Sequence, residues 1–325
     1  MTDSPVTPAT ASRRGAVLPA RITRGTVVLA VASLISQMGI VVTGGAVRLT
    51  ASGLGCPTWP MCRPGSLTNT PEMGIHGYIE FGNRTLTGVL SVISLLMILW
   101  LWKVRHVHRE AFRLSMLLLA GIAVQALIGG ATVLLALDPR IVGVHFVISA
   151  LLIVWATQLL LRVRHARRHP AGTPVVDGAT TRISRAAATV NFIALWFTLV
   201  LGTLVTGTGP HSGDPQAARH GFDALLITRA HVVPVYVMVI ATLVLLVAVH
   251  RTPGTSPAQR RTTLFALAAI VLQGAIGYWQ HLTGLPIGVV ALHLAGATIT
   301  TVAATVAWQR QTSDHRVPAA DTARA

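Results

Sequence analysis

The 325 residues are 52% hydrophobic and only 11% charged, with a formal net charge of +16 at pH 7. A soluble chain of this size needs more polar surface than that composition supplies, so the sequence excludes a water-soluble globular enzyme and belongs in a bilayer. The positive charge alone would suit a nucleic-acid partner, but where the charges lie matters more than their sum.

In chain order, residues 1–25 are rich in Thr, Ser, Pro and Ala and read as a disordered cytoplasmic tail. Stretches apolar enough to cross about 30 Å of hydrocarbon follow at 26–47, 80–102, 114–137 and 141–161. After a basic cytoplasmic linker at 162–186, four more lie at 187–208, 229–249, 263–282 and 287–308. The first is too long for a signal peptide and lacks a small-residue cleavage site, so it reads as a retained helix. Asp138-Pro139-Arg140 separates the third stretch from the fourth, and Thr283-Gly284-Leu285-Pro286 the seventh from the eighth. Each pair is therefore expected to form a tight helical hairpin. Residues 309–325 read as a second disordered cytoplasmic tail.

Of the 26 Lys and Arg residues, 20 fall in the two tails and in segments 103–113, 162–186 and 250–262. The opposite loops and their flanks hold Arg48, Arg63, Arg140, Arg219 and Arg229. This asymmetry predicts both termini on the cytoplasmic side of the cell membrane, with segments 48–77 and 209–226 facing outward. Topology and attraction to anionic lipid head groups account for the basic charge without nucleic acid.

The third and seventh stretches carry Gln125-Ala-Leu-Ile-Gly129-Gly and Gln273-Gly-Ala-Ile-Gly277-Tyr, offset by 148 residues. At the same offset Val142-Gly-Val-His145 falls on Val290-Ala-Leu-His293, so a Gln-to-His spacing of 20 recurs without a gap. A weaker echo joins Val42-Thr43-Gly44 with Val205-Thr206-Gly207. The expected fold is all-α: a polytopic membrane protein of eight transmembrane helices in two pseudo-symmetric four-helix bundles, 26–161 and 187–308, related by an axis along the membrane normal.

Ionisable groups inside spans are costly and mark candidate sites. Here they are Glu80, Arg84, His145, His231 and His293, with Asn83 as a neutral companion, and all fall near the outer starts of even-numbered helices. His231 and His293, at matched depth in the second half, suit the two faces of one haem iron. In the first half His145 has no histidine opposite it, because the second helix reads Ile79-Glu80-Phe81-Gly82-Asn83-Arg84. His76 lies seven residues before Asn83, two turns back on the same face if the helix extends that far. This asymmetry predicts a permanent haem in the second half and an exchangeable one in the first. Two roles are open to Glu80: a proton acceptor at the mouth of that site, or an i, i+4 salt bridge to Arg84. Cys56 and Cys62, the only cysteines, lie in the first outward loop, where an oxidising compartment favours a disulfide.

Together these residues resemble the haem A synthase family of bacteria and mitochondria. The resemblance rests on Gly53-Leu-Gly-Cys56-Pro-Thr-Trp-Pro-Met-Cys62, on Ile79-Glu80-Phe-Gly-Asn83-Arg84, and on Thr206-Gly-Thr-Gly-Pro210-His211-Ser-Gly-Asp214, completed by His145, His231 and His293. It implies oxidation of the C8 methyl of haem O to a formyl group, giving haem A for terminal cytochrome oxidases. The implied cofactor is haem b on His231 and His293, and the implied substrate site includes Glu80 and His145, with His76, Asn83 and Arg84 as further candidates. Haem O synthase and the cytochrome oxidase assembly apparatus are the implied partners. The family's usual Glu-x-x-His-Arg departs here to Glu80-Phe-Gly-Asn83-Arg84. A transmembrane cytochrome b that exchanges electrons with quinone is the alternative the same histidines would support; a small-solute transporter would fit the repeat but not the histidine layer.

Overall fold

The computed structural model describes residues 18–19, 21–169, 178–211 and 213–312. Among the described residues, eight α-helices are long and apolar enough to cross a membrane: α1 (Arg24–Leu49), α2 (Gly74–Leu101), α3 (Arg109–Leu134), α4 (Pro139–Arg168), α5 (Arg182–Thr208), α6 (Ala224–Arg251), α7 (Pro257–Leu282) and α8 (Ile287–Thr312). Among the described residues there is no β-strand, only an isolated bridge between Arg63 and Ser66. The chain is a multi-pass membrane protein. The helices overrun the apolar stretches read from the sequence, because hydropathy marks the hydrocarbon while helical hydrogen bonding continues into the head-group region. The linker at 162–186 is thus largely helical at both ends, with α4 reaching Arg168 and α5 starting at Arg182. Most of both tails lies outside the described residues.

The helix ends are written in the sequence. Thr23, Thr181 and Ser256 each close a capping box at the start of α1, α5 and α7. Asp138 and Asp223 cap α4 and α6 through their side-chain oxygens. Arg140 donates to both Asp138 oxygens, at 3.0 and 2.6 Å, and holds that carboxyl down to a pKa of about 2.

The first four helices pack in a ring, α1 on α2, α2 on α3, α3 on α4 and α4 back on α1; α5 to α8 do the same. The rings meet along α1, α4, α5 and α8. Small residues let these backbones approach: a Cβ on Gly45 of α1 would come 2.8 Å from Leu294 of α8, and one on Gly143 of α4 would come 3.1 Å from Thr203 of α5. Large apolar side chains such as Val92, Leu95 and Leu99 on α2, or Ile240 and Val247 on α6, remain exposed, as a lipid-facing surface requires.

Both tight hairpins are confirmed, and they share one geometry. Ala136 and Leu137 have φ of 48° and 60°; 148 residues on, Gly284 and Leu285 have φ of 76° and 62°. In each turn the leucine N–H returns to a carbonyl five residues back, Leu137 to Thr132 at 2.7 Å and Leu285 to Gln280 at 2.8 Å. A left-handed leucine costs about 1–2 kcal/mol. The buried Leu137 side chain offsets this by packing against Gly53 and Gly213, and the Leu285 carbonyl accepts from His211 at 2.9 Å. Both outward-reading loops and both hairpins therefore gather at one end of the bundle.

Candidate functional site

Glu80, on the second turn of α2, is only 5% exposed. Its Oε2 accepts the Cys56 backbone N–H at 2.7 Å, and its Oε1 accepts from Arg84 Nη2 at 2.5 Å and Nε at 3.1 Å. Arg84 also donates to the carbonyls of Cys56 at 2.8 Å and Thr58 at 2.9 Å. The salt bridge expected at i, i+4 is therefore formed, and it does more than link one helix to itself. It pins the 50–73 loop over the end of the first ring. Cys56 and Cys62 are disulfide-bonded. Trp59 lies against Gly130 of α3, where a Cβ would stand 2.5 Å from the indole.

Two predictions follow from this lid. Alkylation without reductant should leave Cys56 and Cys62 unmodified in the mass spectrum of the native protein; two modified thiols would contradict the bond. Arg84→Ala should lower stability by about 3 kcal/mol, because a buried carboxylate loses its cation, with Arg84→Lys intermediate since an ammonium cannot serve the carboxylate and two carbonyls in one plane. Thermal denaturation in detergent measures both; equal midpoints for all three proteins would contradict it.

His76 falls inside α2, but its ring is exposed and its Nδ1 is 2.8 Å from Ser52 Oγ, so it faces the lid. Asn83 looks inward: its Oδ1 accepts from Thr43 of α1 at 2.7 Å, and its amide lies beside Gly44.

The recurring Gln-to-His spacing turns out to be a direct contact. Gln125 Nε2 donates to the His145 carbonyl at 2.9 Å and also to Ser149 Oγ; Gln273 Nε2 donates to the His293 carbonyl at 2.7 Å. Each imidazole lies on a glycine of the preceding helix, Gly129 under His145 and Gly277 under His293, where a Cβ would approach Cε1 to 3.4 and 3.2 Å. Nδ1 of both histidines is buried and without a partner. A neutral ring nitrogen left unpaired in apolar surroundings is costly unless a ligand takes it.

His231 of α6 rests on Gly202 of α5, with a Cβ there 3.1 Å from Cε1, and its Nδ1 donates to the Thr198 carbonyl at 3.0 Å. That bond fixes the tautomer and leaves Nε2 as a lone pair, the arrangement of a metal-ligating imidazole. His231 and His293 both belong to the ring of α5 to α8. At the 148-residue offset, the place of His231 in the first half is taken by Asn83. No group of three or more His, Cys, Asp or Glu gathers to hold a metal ion among the described residues. What is present fits haem, whose iron needs only two axial side chains.

Arg48, read from the sequence only as one of the few basic residues of the outward side, has a structural partner. Near the end of α1, it donates to the carbonyls of His211 at 2.6 Å and Thr206 at 3.0 Å, tying the first ring to the loop after α5.

Residues 27–211 match the family described as cytochrome oxidase assembly protein. The chain belongs to that family. Curated relatives of this chain include a heme A synthase of Lysinibacillus sphaericus, 42% identical over 137 residues, which are 41% of this chain and 42% of that protein. A heme A synthase of Bacillus licheniformis is 33% identical over 135 residues (41% and 43%), and one of Alkalihalophilus pseudofirmus 30% over 155 residues (46% and 52%). The chain spans about half the length, or somewhat less, of these curated relatives.

Proposed function

We propose that this protein is a haem A synthase, an oxidoreductase of the cell membrane that converts the C8 methyl of haem O to a formyl group. The observation that carries the reading is the pair of glutamine-clasped, glycine-backed histidines, His145 and His293, each with a buried unpaired Nδ1, in a chain related to heme A synthases. The halves are read as related by an axis along the membrane normal, with both termini cytoplasmic.

In this reading His231 and His293 hold a resident haem b, which supplies one-electron chemistry when bound. The protein's own part is orientation. Thr198 fixes the His231 tautomer, Gln273 holds the His293 backbone, and Gly202 and Gly277 keep space beside the rings. In the first half His145 ligates the substrate haem. Asn83, engaged with Thr43, offers no strong second axial bond, so the hold is looser and the product can leave. Glu80 takes up protons released as the methyl is oxidised, a step whose electrons pass to an external acceptor and whose formyl oxygen comes from water or dioxygen. Haem O synthase would supply the substrate and cytochrome oxidase assembly would receive the product.

The test is expression in a host that makes haem O but no haem A. Appearance of haem A supports the reading. A haem-containing protein with an unchanged haem profile would replace it with an electron-transferring cytochrome b.

A further inference from the structure

Below the candidate first-half site, an apolar cavity of about 280 Å³ opens between α2 and α3. Its walls include Thr87 and Ser91 of α2 and Met116, Ala120, Ala123 and Ala126 of α3. Thr87 and Ser91 stand one and two turns beyond Asn83 on the same face. On α3, Ala126, Ala123 and Ala120 step back by threes from Gly129, the residue under the His145 ring. The cavity thus lies on the α2 and α3 faces that carry Asn83 and Gly129, one turn beyond each.

The second half closes the corresponding seam. At the 148-residue offset, Thr87 and Ser91 become Val235 and Val239, which pack into the core beside Met238, and Ala123 becomes Val271. Gly88 and Gly130 become Tyr236 and Tyr278, whose hydroxyls meet at 2.6 Å across α6 and α7. A Cβ on Gly88 would meet nothing within 4 Å. The first seam carries Thr87, Ser91 and Ala123 where the second has valines, beside Met116, Leu119 and Ile122, with Trp59 of the lid over Gly130; the second is latched by a hydrogen bond. A resident ligand needs a closed seam, whereas an exchangeable one with a long apolar arm needs an open one.

We propose that the α2–α3 groove receives the isoprenoid tail of the substrate haem, which reaches the first-half site sideways from the bilayer. This rests on the reading that the first half holds the exchangeable haem. The tail lies against Ala120, Ala123 and Ala126, and its ring end meets His145.

The test uses the full-length protein, loaded with its resident haem, in lipid nanodiscs. Haem O and protohaem, which lacks the tail, are titrated into the wild type, Ala123→Phe and Gly88→Tyr. Displacing about two methylene groups weakens binding roughly tenfold, so both variants should bind haem O about tenfold less well and protohaem as the wild type does. The low-spin absorbance of the resident haem reports that each variant is folded. In the wild type, free farnesol should compete with haem O and leave protohaem binding unchanged, a measurement that needs no variant. Unchanged haem O binding in both variants, with no competition by farnesol, would assign the groove to lipid chains and overturn the proposal, as would equal loss of both haems. His145→Ala separates the two levels of inference. If it leaves both titrations unchanged, the first-half site itself is misassigned, whatever the groove does.

Discussion

Replacing either His231 or His293 with alanine will abolish the low-spin haem b absorbance of the purified protein or convert it to a high-spin spectrum. The two side chains come from α6 and α8, neighbours of α7 within one ring. Each is seated on a glycine, so neither ring can retreat without opening space that the backbone does not fill. His231 presents Nε2 because Nδ1 is committed to the Thr198 carbonyl, while the Nδ1 of His293 is buried without a partner. If these histidines hold the iron as proposed, an alanine at either position would remove one of its ligands and leave a gap, and iron with one protein ligand is spectroscopically distinct. The spectrum of each variant, with haem content measured against protein, decides the matter. A full low-spin spectrum in both would exclude these residues as the ligands.

The fold was legible because the bilayer reduces it to a few rules. Every span satisfies its backbone internally, so length and hydropathy alone identify the helices. The repeat was legible at Gln125 and Gln273 because a side-chain amide clasping a carbonyl one hairpin away demands a fixed spacing. The α1 counterpart was not: the sequence echo pairs Gly44 with Gly207, whereas the glycine that meets the facing α6 residue, as Gly44 meets Asn83, is Gly202. Glycine and threonine are too common in spans for a three-residue match to fix the register. Arg48 was invisible for a related reason. It pairs with backbone carbonyls, which leave no mark in the sequence, and from composition it counted only as one of the few basic residues on its side. For Glu80 the ion pair with Arg84 was foreseeable from i, i+4 spacing, but the Cys56 N–H on its other oxygen was not, since a loop of more than twenty residues lies between.

His145→Ala and Glu80→Gln will lower haem A output in cells that supply haem O while leaving haem b content near the wild-type level. His145 belongs to the ring of α1 to α4 and His231 and His293 to the other, so loss of His145 removes no ligand from the resident haem. Its partner position carries Asn83, whose carbonyl oxygen already accepts from Thr43, so nothing on α2 replaces it as an axial ligand. On the proposed assignment the substrate would then have no iron bond to the protein, and turnover should fall close to background. Glu80→Gln keeps an oxygen for the Cys56 N–H but loses the charge that faces Arg84 and the ability to take a proton. General-base catalysis is typically worth about 100-fold, and a loss of that order in haem A formation is expected. Arg84→Ala distinguishes chemistry from support of the lid: it frees the loop carbonyls of Cys56 and Thr58 but leaves the carboxylate. If Arg84→Ala reduces haem A as severely as Glu80→Gln, the carboxylate acts through the loop. Normal haem A from both His145→Ala and Glu80→Gln, or loss of haem b from His145→Ala alone, would show that the division between a resident and a substrate haem does not follow the two rings.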